Sequence, residues 1–477
     1  MFTTDSYTIA TALFPRLLGF IYFFAFGAFL FQIKGLLGTH GIMPVSKFLA
    51  WISQNLSKRK FVVVPTLFWV NCSDAALLSV VFGGVCLSVL LMLGIYPSLM
   101  LLLLYVLYLS IISAGQEFLA FGWEGFLLEI TVNAFLLSLV SPPNLLVWIS
   151  LNFVVFRFHF QGGWVKLQSQ DPNWRNLTGV AYHYLTQPIP NTLAWYAHKL
   201  PMWFQKFSTL LMLVIEIVVP FAMLGSDAMR LWVFYAFVGL QIAIWLTGNF
   251  SFLNHLTVVV SVVLVANVYM PSWLDVAPTT ISTPPLLLEV FCSLAAFVLI
   301  CLQSMQLWQQ FSPNRLFGSC LDKIGSFHIV NRYGIFAIMT TKRFEIVFEG
   351  SDDEVNWKEY LFYYKPSEVT RRPRRISPYQ PRIDWQAWFL PLGNYRHDSW
   401  FGNFIFHLLK GTPEVLSLIR HNPFPNAPPR FVRTLIYDYT FSSFEEKKKL
   451  GCWWHREYLG LFTQPVSLKP TIRPLAD

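Results

Sequence analysis

Apolar runs approaching or reaching the roughly 17–25 residues needed to cross a hydrocarbon core recur through the first two thirds of the chain. They lie at about Leu17–Ile33, Ala75–Ile95, Pro97–Ala114, Gly125–Val140, Leu145–Phe160, Thr209–Leu224, Leu231–Thr247, Leu256–Met270 and Pro285–Gln303. The pattern predicts a membrane all-α polytopic helical bundle of about nine spans in residues 1–305, with the shortest runs re-entrant or enclosed by protein. Beyond about residue 305 the period changes. Short runs rich in Val, Ile, Phe and Tyr between Ser326 and Pro366, broken at Asn331–Gly334 and at "EGSDDEVN", predict about four short, half-buried strands. "DWQAWFLPL" and "NFIFHLLKGTPEVLSLIRHNPFP" predict amphipathic helices stopped by Gly411 and Pro423. Residues 306–477 are thus expected to form a soluble α+β C-terminal domain with a small β-sheet.

One stretch interrupts the apolar pattern. "DPNWRNLTGVAYHYLTQPIPN", Asp171 to Asn191, sits within a large polar loop at about 161–207. It concentrates Trp174, Arg175, His183, Tyr184 and Gln187 between apolar segments. Such residues suit contact with a client protein or a cap packed on the bundle itself. Asp384, Trp385 and Trp388 present the same choice in the C-terminal region. The two Trp, three residues apart, share one helix face as core or as a client-binding stripe.

Composition supports the membrane reading: 55% of residues are hydrophobic and only 13% are charged, against about 25% in a soluble domain. The formal net charge is +9, but the basic residues are scattered and the one dense run is "RRPRR" at Arg371–Arg375. Lipid headgroups or a protein partner fit that run better than nucleic acid, which is excluded as a partner. The six cysteines form no CxxC pair and the histidines are dispersed, so neither a disulfide framework nor a metal site is expected. No nucleotide loop, nucleophile elbow or metalloprotease pair occurs, and no catalytic residue or cofactor is assigned.

The ionisable residues inside apolar runs are the sharpest local signal. Glu124 and Glu129 open one span in "FGWEGFLLE", and Arg157 and His159 close the next in "FRFHF". Sequential antiparallel spans place Glu129 and Arg157 at similar depth, which predicts an intramembrane charge clasp. A carboxylate near Lys166 or His183 would also suit general-base chemistry. Glu216 and Glu289 are lone candidates.

Several blocks resemble one family. "FGWEGFLLE", "VKLQSQDPNWRNLTGVAYHYLTQPIPN", "TGNFSFLNHLT", "VNRYGIFAIMTTKRFEIVFEGSDDEVNWKEY", "PRIDWQAWF" and "NPFP" together resemble the lipase maturation factor family, in order from about Phe23 to Tyr458. His255 stands where the family pattern has Trp, and "QGGWVK" replaces a Gly-Ala-Gly-like segment. The resemblance implies a non-enzymatic membrane folding factor, with secreted lipases as clients that reach their active dimeric form. It implies an endoplasmic-reticulum membrane location in a eukaryote and an inner-membrane one in a bacterium. The alternative is a membrane enzyme with a bundle similar to that of vitamin-K-dependent carboxylases, working through Lys166, His183 or Glu129. A transporter fits less well, since no symmetric pair of broken spans is evident.

Nine spans put the N-terminus and the C-terminal domain on opposite sides. The resemblance places that domain in the lumen or periplasm, as would glycans at the sequons Asn55, Asn71 and Asn176. The basic "SKRK" segment argues the reverse by the positive-inside rule, which weakens for long structured loops.

Overall fold

The computed structural model describes residues 4–274, 285–312, 316–393 and 399–468. The apolar runs form nine helices: α1 (Thr8–Leu30), α2 (Asp74–Met92), α3 (Pro97–Ala114), α4 (Gly122–Leu137), α5 (Leu145–Gln168), α6 (Met202–Ile217), α7 (Asp227–Thr247), α8 (Leu253–Ser261) and α9 (Leu286–Phe311). Short polar caps set several starts. The side chains of Ser73, Asn144 and Ser226 each accept a backbone N–H from the first turn of α2, α5 and α7. Pro97 occupies the first turn of α3, where its missing N–H costs nothing.

Among the described residues, seven helices are long and apolar enough to cross a membrane, not nine. The expected spans at α4 and α8 fall short. α4 has 16 residues, nearly all buried, and α8 continues only as a 3-10 turn to Leu264. Both are enclosed by longer helices, so apolar composition there reflects protein core rather than lipid contact. α1, α3 and α5 bury half or more of their apolar windows, whereas α2, α6, α7 and α9 bury under a third and face outward. Two boundaries also move. The first helical run begins at Thr4, so Arg16 lies inside it, donating to the Ala12 carbonyl (2.9 Å) beside the α2–α3 turn at Gly94. α5 runs on to Gln168, absorbing the start of the expected polar loop.

The helices alternate in direction, and contacts at each end fix the alternation. At one end Tyr7 Oη donates to Asp227 (2.6 Å), Arg230 donates to Asn152 (2.7 Å) and Asn267 donates to the Asp5 carbonyl (2.9 Å). The C-terminal region packs against the other end.

That region holds a four-stranded antiparallel sheet of β1 (Phe344–Ser351), β2 (Lys358–Glu359), β3 (Phe431–Phe441) and β4 (Trp454–Val466), in the order β2-β1-β3-β4. Only β1 and β2 come from the segment expected to supply all four strands. Residues 326–343 form no strand because Asn331, Tyr333, Phe336 and Met339 are spent on contacts with the bundle and its loops. β1 is buried along nearly its whole length rather than on alternate residues. Phe348 packs on Phe401 and Phe404 of α11 (Ser399–Lys410), with ring centroids 5.9 and 5.1 Å apart. Its charged residues Glu345 and Glu349 are held by Arg343, Lys365 and Arg433. α10 (Arg382–Phe389) carries "DWQAWF", and α11 ends at Gly411, whose φ of +64° suits a residue without Cβ.

Candidate functional site

The polar residues converge where the bundle meets the C-terminal region. Arg157 Nη1 donates to Glu129 Oε1 at 2.7 Å, both side chains being inaccessible. The pair is not isolated. Glu129 Oε2 accepts the Asn331 backbone N–H (2.7 Å), the Asn331 amide (3.1 Å) and the Tyr333 hydroxyl (2.6 Å). Arg157 Nη2 donates to the Asn331 carbonyl at 2.6 Å. A second cluster repeats the design. Arg382 Nη1 binds Glu124 at 2.5 Å and the Phe118 carbonyl at 3.0 Å, while Tyr108 donates to Glu124. The Arg382 guanidinium rests on the rings of Phe29 and Phe121. Gln32, just past the end of α1, accepts the Arg382 backbone N–H (2.8 Å) and donates to the Gln380 carbonyl (2.9 Å). Buried charges persist only when paired and hydrogen-bonded, and here partners from 174 to 264 positions away complete each cluster.

The polar stretch is a third fastening. It folds into three short helices, Pro172–Arg175, Gly179–Thr186 and Thr192–Ala197. Its exit turn is gripped by Arg343, which donates to the carbonyls of Leu185 (2.9 Å), Gln187 (2.5 Å) and Pro188 (2.8 Å) while paired with Glu345 (2.6 Å). Trp174 is buried with its indole N–H on the Phe336 carbonyl (3.0 Å). Gln187 is buried and donates to the Thr247 carbonyl (2.8 Å). His183 stacks on Phe250 and meets Phe336 edge-on; burial, with the Lys166 charge nearby, pushes its pKa down. Tyr184 is half-buried against a small cluster around Trp195 and Tyr439. Arg175 is exposed.

On α10, Trp385 packs edge-on against Phe121 and Trp123 of the bundle, and Trp388 donates to the Thr186 carbonyl (2.9 Å). Asp384 is fully buried and accepts the backbone N–H groups of Tyr364 (2.7 Å) and Lys365 (2.8 Å). Burial outweighs those bonds and raises its pKa to about 6. Five of the eight residues proposed for client contact or structure, namely Trp174, Gln187, Asp384, Trp385 and Trp388, are therefore interior. The sequons at Asn55, Asn71 and Asn176 are exposed, on connecting segments at the end that carries the C-terminal region, Asn55 in the last turn of the helix Val45–Leu56.

The groups an enzyme would use are each committed elsewhere. Glu129 serves Arg157, Asn331 and Tyr333. Lys166 pairs with Glu216 at 2.6 Å and donates to the Gly162 carbonyl. His183 lies between aromatic rings. Among the described residues no group of three or more His, Cys, Asp or Glu gathers as a metal site.

Sequence reasoning missed Gln32, Asn249, Asn331, Tyr333, Arg343, Glu345, Lys365 and Arg382. Asn249 alone ties the Ile189 and Arg374 carbonyls (3.1 and 2.9 Å) to the Ile376 N–H (2.9 Å). Gln32 and Asn249 carried a readable signal, an amide in apolar surroundings. The rest sit in segments of ordinary polarity.

Residues 9–271 match the model of the lipase maturation factor transmembrane domain, and residues 329–464 match that of the lipase maturation factor C-terminal domain. Human lipase maturation factor 1 is 31% identical over 99% of this chain and 90% of its own length. Lipase maturation factor 2 of Gallus gallus is 31% identical over 94% of this chain and 80% of its own length. No solved structure matches.

Proposed function

This chain belongs to the lipase maturation factor family, and on that footing we propose that it is a membrane-embedded folding and assembly factor that brings secreted lipases to their active, dimeric form. It works without a covalent step. Its home is the endoplasmic-reticulum membrane in a eukaryotic cell or the inner membrane in a bacterial one, with the C-terminal region on the side from which secreted proteins leave. The observation that carries this reading is the commitment of Glu129, Lys166 and His183 to structural partners within a bundle clamped to its C-terminal region.

The surface best suited to a partly folded client is β4. This 13-residue strand lies at the sheet edge and exposes Tyr458, Leu459 and Leu461. A long edge strand offers unpaired ladder groups and apolar side chains together, a combination most proteins avoid. An extended lipase segment can add to it, giving modest, reversible affinity. The test is co-expression of a secreted lipase with the chain in cells lacking family members. Active dimeric lipase in the medium should rise with the wild type and fall back with Leu459→Lys/Leu461→Lys, while Lys166→Met variants that fold keep function. A folded Lys166→Met or His183→Phe protein that binds lipase yet yields none active would favour chemistry instead.

A further inference from the structure

A polar cavity of about 630 Å³ opens where α9 ends at the junction. Its wall includes Gln306 and Gln309 on one face of α9, Asp322 on the short helix Gly318–Gly325, and His328, Asn331 and Arg332 on the loop that follows. The volume lies in the range of small-ligand sites. Asn331 separates this cavity from the Glu129–Arg157 pair by holding both. Two of the lining residues carry full charges of opposite sign, Arg332 and Asp322. Both are exposed, and neither has an ion-pair or hydrogen-bond partner among the described residues. Opposite charges that face one space without closing on each other leave a gap for a ligand bearing both signs. A purely anionic ligand would meet Asp322, and a purely cationic one Arg332.

The depth of the cavity says where such a ligand comes from. On the same two turns of α9, Trp308 and Phe311 point outward, 58% and 46% exposed. α9 is among the most lipid-facing of the candidate spans, and this is its end. An exposed Trp at the end of a span, here Trp308, marks the headgroup level of a bilayer. The cavity therefore opens at that level beside an apolar helix face on which acyl chains can lie.

We propose that this cavity binds the headgroup of a zwitterionic phospholipid, with the phosphate toward Arg332, the ammonium toward Asp322, and the acyl chains along the outer face of α9. The Gln306 and Gln309 amides flank the headgroup. An annular lipid seated there would brace the loop whose Asn331 completes the Glu129–Arg157 pair.

The experiment uses the full chain in nanodiscs containing a trace of photoreactive phosphatidylcholine, in a background of phosphatidylcholine or of phosphatidylglycerol. Cross-linked peptides are mapped by mass spectrometry. The wild type should label within 306–332 and lose that label to excess phosphatidylcholine but not to excess phosphatidylglycerol. Arg332→Glu should lower labelling there about tenfold, the loss of one charge-assisted contact. Asp322→Arg should shift the preference toward phosphatidylglycerol by a similar factor. Both residues are exposed, so unfolding midpoints should hold, and either variant alone reads the charge preference. Soluble glycerophosphocholine, added at the concentration of the lipid, should not displace the label. Displacement by it would make the ligand a free zwitterion and overturn the lipid assignment. Labelling spread evenly along α9, unchanged in both variants, would overturn the site.

Discussion

The two ends of the bundle solve the problem of polar groups near lipid differently. At the end carrying the C-terminal region, Glu124, Glu129, Arg157 and Arg382 are fully buried, and their partners come from both parts of the chain. At the opposite end Tyr7, Trp148, Asn152 and Arg230 are buried too, but the carboxylate is not sealed. Tyr7 binds a half-exposed Asp227, and Arg230 lies across the Trp148 ring at 4.2 Å while donating to Asn152. Charge at the first end is sealed and serves to dock one region on another. At the second end the half-exposed Asp227 and the buried Arg230 tie neighbouring helices to one another. An ionisable residue in an apolar helix therefore need not be a catalyst: Glu129 and Arg157 are buried and hold partners that come from distant parts of the chain.

Substitutions at the two ends should differ in cost. Arg157→Met or Glu129→Leu leaves a buried charge unpaired and should cost about 3–5 kcal/mol, seen as lost yield and a lower unfolding midpoint in detergent. The charge-swapped double variant should not recover. An Arg at 129 would face the Asn331 N–H and the Tyr333 hydroxyl, both donors, so recovery by the swap would reduce the site to a two-residue clasp. Asp384 sharpens the same end through pH. Its folded pKa of about 6 lies above the unfolded value of about 3.9. The folded state thus holds the proton more tightly, so this contribution is fully present below about pH 4 and is lost as pH rises through 6. Asp384→Asn should remove that slope, matching the wild type near pH 4 and exceeding it by on the order of 2 kcal/mol at pH 7. Denaturation of the two proteins across that range checks it.

At the opposite end, Asp227→Asn should cost only about 1 kcal/mol, one partly exposed hydrogen bond. A loss equal to that at Arg157 would erase the contrast between the ends. Smallest of all, Arg175→Ala should change stability by less than about 0.5 kcal/mol, since the side chain is exposed.

Much of the bundle was legible because apolar run length reports directly on helices near lipid. The same signal cannot distinguish lipid from protein around a helix, so α4 and α8 read as spans although their neighbours enclose them. The Glu129–Arg157 contact followed from two sequential antiparallel helices. The other halves of these clusters did not, because Asn331, Tyr333 and Arg382 arrive from 174 to 258 positions away and their segments carry no local mark. In the sheet, β3 and β4 alternate less cleanly than isolated strands, with register shifts at Thr434 and Ile436. Runs such as Phe336–Met339 look strand-like yet pack on the bundle. The tryptophans of "DWQAWF" were visible as a pair, but only the fold shows that Trp385 faces the bundle and Trp388 the polar stretch.

The proposed function requires that the sheet and its exposed edge face the compartment where secreted lipases fold. Asp352 is exposed on the turn between β1 and β2, which makes it a suitable reporter. A variant with its native cysteines replaced and Asp352→Cys added, in sealed vesicles of known orientation, is treated with a membrane-impermeant thiol reagent. Labelling is expected only when the lumenal or periplasmic face is accessible, with Asn55, Asn71 and Asn176 glycosylated on that same side in a eukaryotic host. Labelling from the cytoplasmic face alone would contradict it, because the sheet edge would then never meet a secreted lipase.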